Sequence, residues 1–95
     1  MAQAPLVFIT GASSGIGQSL ALRFHQAGWR LALVARRGAD IQAWVDAQGL
    51  GADQARVYAA DVRDVHSIVD AGRACIDAQG LPDAVVANAG ISIGV

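Results

Sequence analysis

Leu6-Val7-Phe8-Ile9 is apolar at every position and is stopped by Thr10-Gly11. Side chains of a strand alternate between its two faces, so an unbroken apolar run suits a strand covered on both. That condition selects a parallel sheet sandwiched by helices, and the rest of the chain repeats it. Leu31 to Ala35, Arg56 to Ala60 and Ala84 to Ala87 read as three further short strands. Between them, apolar residues recur at helical spacing. The first such stretch carries Ile16, Leu20, Phe24 and Ala27 and ends at Gly28. The second, Ala39 to Gln48, carries Ile41, Trp44 and Val45, with Gly49 beyond its end. The third opens at Asp64, a good capping side chain. It carries Val65, Ile68, Val69, Cys75 and Ile76 and runs to Gly80. Gly72 inside it costs about 1 kcal/mol against alanine. Strand and helix alternate three times before a fourth strand. With right-handed crossovers this predicts an α/β fold: a doubly wound parallel sheet of four strands and three helices, in three αβα layers.

Composition removes several chemistries. All basic residues among the 95 are arginine and all acidic ones aspartate, so a Schiff-base lysine, a phosphate-loop lysine and a glutamate acid–base pair are excluded. The net charge of −1 and the lack of any basic–aromatic stripe argue against nucleic acid as a partner. Cys75 is the sole cysteine, so no disulfide framework of the secreted type exists. Met1 to Pro5 carry no basic residue, and no segment approaches the roughly 18 apolar residues of a membrane span. The expectation is a protein of a reducing, cytoplasmic compartment with no membrane partner. Charged residues make up 16% of the chain, against about 25% in typical domains. Such an apolar chain reads as part of a larger domain.

Chemistry concentrates in the turn Thr10-Gly11-Ala12-Ser13-Ser14-Gly15-Ile16-Gly17, between the first strand and the first helix. A nucleotide pyrophosphate must approach backbone N–H groups closely at the positive end of a helix dipole, which calls for residues without bulk. Gly11 permits the sharp exit from the strand. Gly15 and Gly17 clear the approach and let the helix pack on the sheet, with Ser13 and Ser14 as small residues between. Ile16 offers an N–H and a side chain for the core. No Lys-Ser/Thr follows Gly15, so this is not an NTPase phosphate loop, and the spacing does not match G-x-G-x-x-G. The bland reading is a turn in which glycine and serine serve geometry alone; three glycines in strand–turn–helix context favour a dinucleotide site.

The spacing T-G-x-x-x-G-x-G, here Thr10, Gly11, Gly15 and Gly17, resembles the cofactor signature of the short-chain dehydrogenase/reductase family, which has a Rossmann-type fold. Asp61-Val62 after the third strand is similar to the family's adenine-facing aspartate. Asn88-Ala89-Gly90 after the fourth resembles its N-A-G element. The resemblance covers essentially the whole chain. It implies a hydride-transferring oxidoreductase acting on a small carbonyl or alcohol substrate. It also implies a Tyr-x-x-x-Lys pair, a serine and a second asparagine after the N-A-G element. None of these is recognised here: Tyr58 is the sole tyrosine and is followed by Ala59, Ala60, Asp61 and Val62. No catalytic residue is assigned. Residues 1–95 are expected to be the N-terminal, cofactor-binding portion, with the catalytic half absent. Complete relatives are commonly dimers or tetramers, so a homo-oligomer is a possible assembly.

Arg36, with Arg37 beside it, stands at the end of the second strand, where the family's cofactor presents its adenosine ribose. An acidic residue there would bind ribose hydroxyls and repel a 2′-phosphate; a guanidinium grips phosphate bidentately or stacks on adenine. Ser13 adds a hydroxyl. The expected cofactor is NADP rather than NAD, against the alternative of a solvated arginine pair. Asp61 has a rival role as a turn-former. Asn88 is expected to brace diverging strands through its amide, while Ala89 and Gly90 keep the backbone slim beside a ribose. His25 and His66 lack partners at metal-ligand spacing and are expected at the surface. Trp29, Trp44 and Cys75 are expected to serve packing. Two further functions compete with an oxidoreductase: a truncated, non-catalytic nucleotide-binding module, and a pseudo-enzyme using the sheet as an interaction surface.

Overall fold

The computed structural model describes residues 4–88. In chain order the elements are β1 (Leu6–Thr10), α1 (Gly15–Gln26), β2 (Arg30–Ala35), α2 (Gly38–Ala47), β3 (Ala55–Ala59), α3 (Val65–Gln79) and β4 (Ala84–Ala87). The strands form one parallel sheet in the order β3-β2-β1-β4. Every expected strand and helix is present, with boundaries shifted by a residue or two. The chain steps outward from β1 to β3, then crosses back beyond β1 to lay down β4. The order therefore reverses between β1 and β4, the place where open α/β sheets form a crevice at the carboxyl ends of their strands.

Strand parity divides the core. Val7, Ile9, Leu31, Leu33 and Ala35 point to one face, where Ala21 of α1 and Ile41 and Val45 of α2 cover them. Leu6, Phe8, Ala32 and Val34 point to the other, where Ala71 and Cys75 of α3 lie. Both faces of β1 and β2 are thus buried, which is why those strands are apolar at nearly every position. Trp29 and Trp44 pack against the first cluster, and the Trp29 ring meets Phe24 edge-on at 5.0 Å. Gly28, with φ of +91°, takes the left-handed conformation that ends α1. Gly49 and Gly80 follow the other two helices.

Two expectations about side chains are corrected. Ile16 is 68% exposed and contributes nothing to the core. Helical side chains lean toward the N-terminus, so a residue in the first turn of α1 leans past the end of the sheet. His25 is half-buried rather than on the surface, while His66 is exposed as expected. On α3, Ile68 reaches the core but Val65, Val69 and Ile76 are exposed.

Long-range polar contacts gather at the end of the sheet where β1 and β2 begin. Asp83 accepts from Leu6 N–H at 2.8 Å and donates its own N–H to Leu6 O at 2.7 Å, locking β4 to β1. Arg30 Nη1 donates to Gln79 O at 2.8 Å. The buried Gln79 side chain donates Nε2 to Leu31 O at 3.0 Å and accepts from Tyr58 Oη at 2.8 Å. A second set of long-range contacts, made by Asn88, lies at the carboxyl ends of β1 and β4. No described helix is long and apolar enough to cross a membrane, and no three His, Cys or Asp side chains among the described residues form a metal-binding group.

Candidate functional site

Gly11 leaves β1 with φ of +65°, a conformation that favours glycine. The carbonyl it turns inward is the hub of the site. It accepts from Ser14 N–H at 3.2 Å, Ser14 Oγ at 2.9 Å and Asn88 Nδ2 at 3.2 Å. Ser14 Oγ also accepts from Gly17 N–H and from Asn88 Nδ2, each at 3.0 Å. A hydroxyl has one proton and two lone pairs, so Ser14 is fully committed as the N-cap of α1. Anything it does for a ligand is done by shaping the turn. Asn88 ties the end of β4 to this turn and also donates its backbone N–H to Thr10 Oγ1 at 3.2 Å. It braces the site across a separation of 74 residues in sequence.

The three glycines have different duties. A Cβ on Gly17 would overlap the Gly11 carbonyl oxygen and approach Ala12 Cα to 2.9 Å, so this glycine is required by close packing of α1 on the turn. A Cβ on Gly15 would meet nothing within 4 Å. The fold does not need a glycine there, and the space above it is open. Gly15 and Ile16 are the first two residues of α1, and their amides have no hydrogen-bond partner among the described residues. The Ser13 side chain is exposed beside them.

A cavity of about 300 Å³ adjoins this turn. Gly11 and Ser13 form one side, Ala35 and Ala60 are small residues at the ends of β2 and β3, and Arg36, Asp61, Val62 and Arg63 complete the rim. Arg36 is exposed and forms no salt bridge among the described residues. Arg37 is not part of this wall; it holds the N-cap position of α2 without a side-chain cap bond. Ala89 and Gly90 lie outside the described residues.

Asp61 has a partner that sequence reasoning passed over. Arg63 Nε and Nη2 donate to Asp61 Oδ1 and Oδ2 at 3.1 and 3.0 Å, and Arg63 N–H donates to Oδ1 at 2.9 Å. These bonds hold the Asp61 carboxyl down at about 2, the Arg63 side chain contributing most, its backbone N–H next, and the charge of Arg36 a smaller share. The bond from Arg63 N–H is the turn-forming role open to Asp61; the guanidinium added to it lies in an irregular turn, where no helix or strand pattern marks a side-chain pair. Ala35 and Ala60 were also passed over; their signal is small size directly before Arg36 and Asp61.

The arrangement suits an extended anion followed by a planar ring. Open amides at the positive end of a helix receive a diphosphate, an unpaired guanidinium stands farther along, and Val62 and Asp61 offer an apolar surface and a negative acceptor at the far wall. Residues present thus fit a dinucleotide, which would be held by Gly15 and Ile16 amides, Arg36, Asp61 and Val62.

The profile of the family described as short chain dehydrogenase matches residues 5–95. A sulfoacetaldehyde reductase of Chromohalobacter salexigens is 43% identical over 70 residues, which is 74% of this chain and 27% of that protein. An 11-beta-hydroxysteroid dehydrogenase A of Sesamum indicum is 41% identical over 90 residues, covering 90% of this chain and 25% of the relative. The chain therefore spans about a quarter of the length of these curated relatives. Among solved structures, a 3-ketoacyl-(acyl-carrier-protein) reductase from Brucella melitensis complexed with NADH superposes with a TM-score of 0.77 at 29% identity, over 87% of this chain and 33% of that one. A glucose/ribitol-type short-chain dehydrogenase from the same organism gives 0.82 at 27% identity, over 94% of this chain and 37% of that one.

Proposed function

This chain belongs to the short-chain dehydrogenase/reductase family, and from that premise we propose that it supplies the NADP-binding part of an oxidoreductase that interconverts a carbonyl and an alcohol. The observation that carries the nucleotide reading is Gly15: a glycine the fold does not need, whose amide and that of Ile16 stand open at the start of α1, in a turn whose Gly11 and Ser13 line a cavity. When bound, the dinucleotide supplies the hydride. The work of these residues is to bind and orient it. Gly15 and Ile16 amides hold the pyrophosphate, Asp61 and Val62 the adenine, and Arg36 the 2′-phosphate. Asn88 and Ser14 keep the turn in shape. Proton transfer falls to a tyrosine and lysine contributed by chain outside these residues, where the substrate pocket also belongs.

NADP is favoured over NAD because the residue after β2 is an exposed arginine with no salt-bridge partner among the described residues. Each hydrogen bond to a charged group is worth about 1.5–3 kcal/mol, so one or two translate into a preference of roughly tenfold to several hundredfold. Fluorescence titration of the intact protein with NADPH and NADH tests this. NADPH should bind tighter by that margin, and Arg36→Asp should reverse the order. Equal affinities, or an Arg36→Asp variant that still prefers NADPH, would defeat the NADP assignment.

A further inference from the structure

Asp61 meets the cavity with most of its hydrogen-bonding capacity already spent. A carboxylate offers about four acceptor directions. Arg63 alone occupies three: N–H and Nε on Oδ1, and Nη2 on Oδ2. The backbone beneath is fixed as well, since Asp61 N–H donates to Ser67 Oγ at 3.0 Å and Asp64 N–H donates to Asp61 O at 2.9 Å. Turning the Asp61 side chain would break the whole fork. What remains is one acceptor direction, on Oδ2, of a residue that lines the cavity.

We propose that Arg63 is a positioning residue for base selection: its guanidinium fork holds the Asp61 carboxylate so that the site accepts a 6-aminopurine and rejects a 6-oxopurine. This rests on the reading that Asp61 meets the adenine ring. The reasoning is that of a held against a free acceptor. An amino group at the purine 6-position donates to the open oxygen. A carbonyl there brings a second acceptor against a carboxylate, and the clash persists only if the carboxylate cannot swing aside. A loose aspartate would relax away from a 6-oxo ring and discriminate poorly. Arg63 makes it rigid. Lysine cannot reproduce this, because an ammonium is a point charge without a planar fork. Arg63 is itself 73% exposed and its guanidinium hydrogen-bonds only Asp61 among the described residues, so its replacement should leave the fold intact.

The test is the ratio of dissociation constants for NADPH and its hypoxanthine counterpart, measured on the intact protein by fluorescence titration. The unaltered protein should favour the adenine form. In both Arg63→Ala and Arg63→Lys that preference should shrink about three- to tenfold, the scale of one hydrogen bond. Asp61→Ala should abolish the preference. Three results overturn the proposal: an unchanged ratio in Arg63→Ala, full rescue by Arg63→Lys, or equal weakening of both forms, which would make Arg63 a direct ligand contact. An unchanged ratio in Asp61→Ala is separately visible and removes the adenine reading on which the proposal stands. Failure of both forms to bind the unaltered protein removes the nucleotide reading itself, and the proposal with it.

Discussion

At the scale of single residues, two glycines two positions apart answer to different causes, and substitution separates them. Gly17→Ala drives a methyl into the Gly11 carbonyl and Ala12, neither of which has room to give. Overpacking of this kind costs about 1–3 kcal/mol, and urea melts should show a lowered midpoint. Gly15→Ala meets no obstacle and sits at a helical backbone. It should raise stability by about 0.4–1 kcal/mol through the unfolded state while weakening nucleotide binding at least tenfold by filling the open space. A Gly15→Ala variant that binds nucleotide normally would show that nothing approaches that backbone. Asp61 makes a third residue-scale prediction. Its carboxyl lies at about 2 instead of near 4, so whatever its bonds to Arg63 contribute is present above the ordinary aspartate range. That contribution is lost as the pH falls from about 4 to about 2. Carbon NMR of the Asp61 carboxyl should find a midpoint near 2 that moves up in Arg63→Ala.

At the scale of elements, α3 carries one good device and one avoidable cost. Asp64 Oδ1 accepts from His66 N–H at 3.0 Å and Ser67 N–H at 3.4 Å, closing the helix start. Asp64→Ala should cost about 1 kcal/mol. Gly72 has no neighbour within 4 Å of where a Cβ would stand, so Gly72→Ala should return roughly the same amount. Thermal unfolding of the two single variants and the double variant checks both. The elements were legible in the chain because their causes are local: unbroken apolar runs for β1 and β2, helical spacing for α1 to α3, and Asp64 as a cap. Ile16 misled because periodicity counts positions without knowing where the sheet ends. The contacts that make the site were less legible. The Arg63 guanidinium on Asp61 is a side-chain contact inside an irregular turn, and Asn88 on Ser14 joins residues that only the β1–β4 pairing brings together.

At the scale of the whole molecule, the sheet has a structural end and a chemical end. Gln79, Tyr58, Arg30 and Asp83 fasten helix and strands where β1 and β2 begin. The Tyr58 phenol is pushed up to about 12, first by burial and then by repulsion from Cys75, partly offset by Arg56. A raised folded-state value means its contribution is complete below about 10 and is lost as the pH rises toward 12. Ultraviolet absorbance should therefore show tyrosinate only on strongly alkaline titration, with stability declining over the same interval. Tyr58→Phe should remove that dependence and cost about 0.5–1.5 kcal/mol, leaving nucleotide affinity unchanged because the change lies away from the cavity rim.

The Asn88 amide has a thermodynamic corollary. The glycine turn is held in shape by a side chain at the end of β4, which is a short edge strand among the described residues, with Val85 66% exposed there. A ligand that selects the braced turn must then also select the docked strand, and linkage makes the influence reciprocal. Nucleotide binding should slow amide hydrogen exchange along Ala84–Ala87, although none of those residues lines the cavity. Asn88→Ala should uncouple the two, leaving a turn that melts and a strand that frays as independent events.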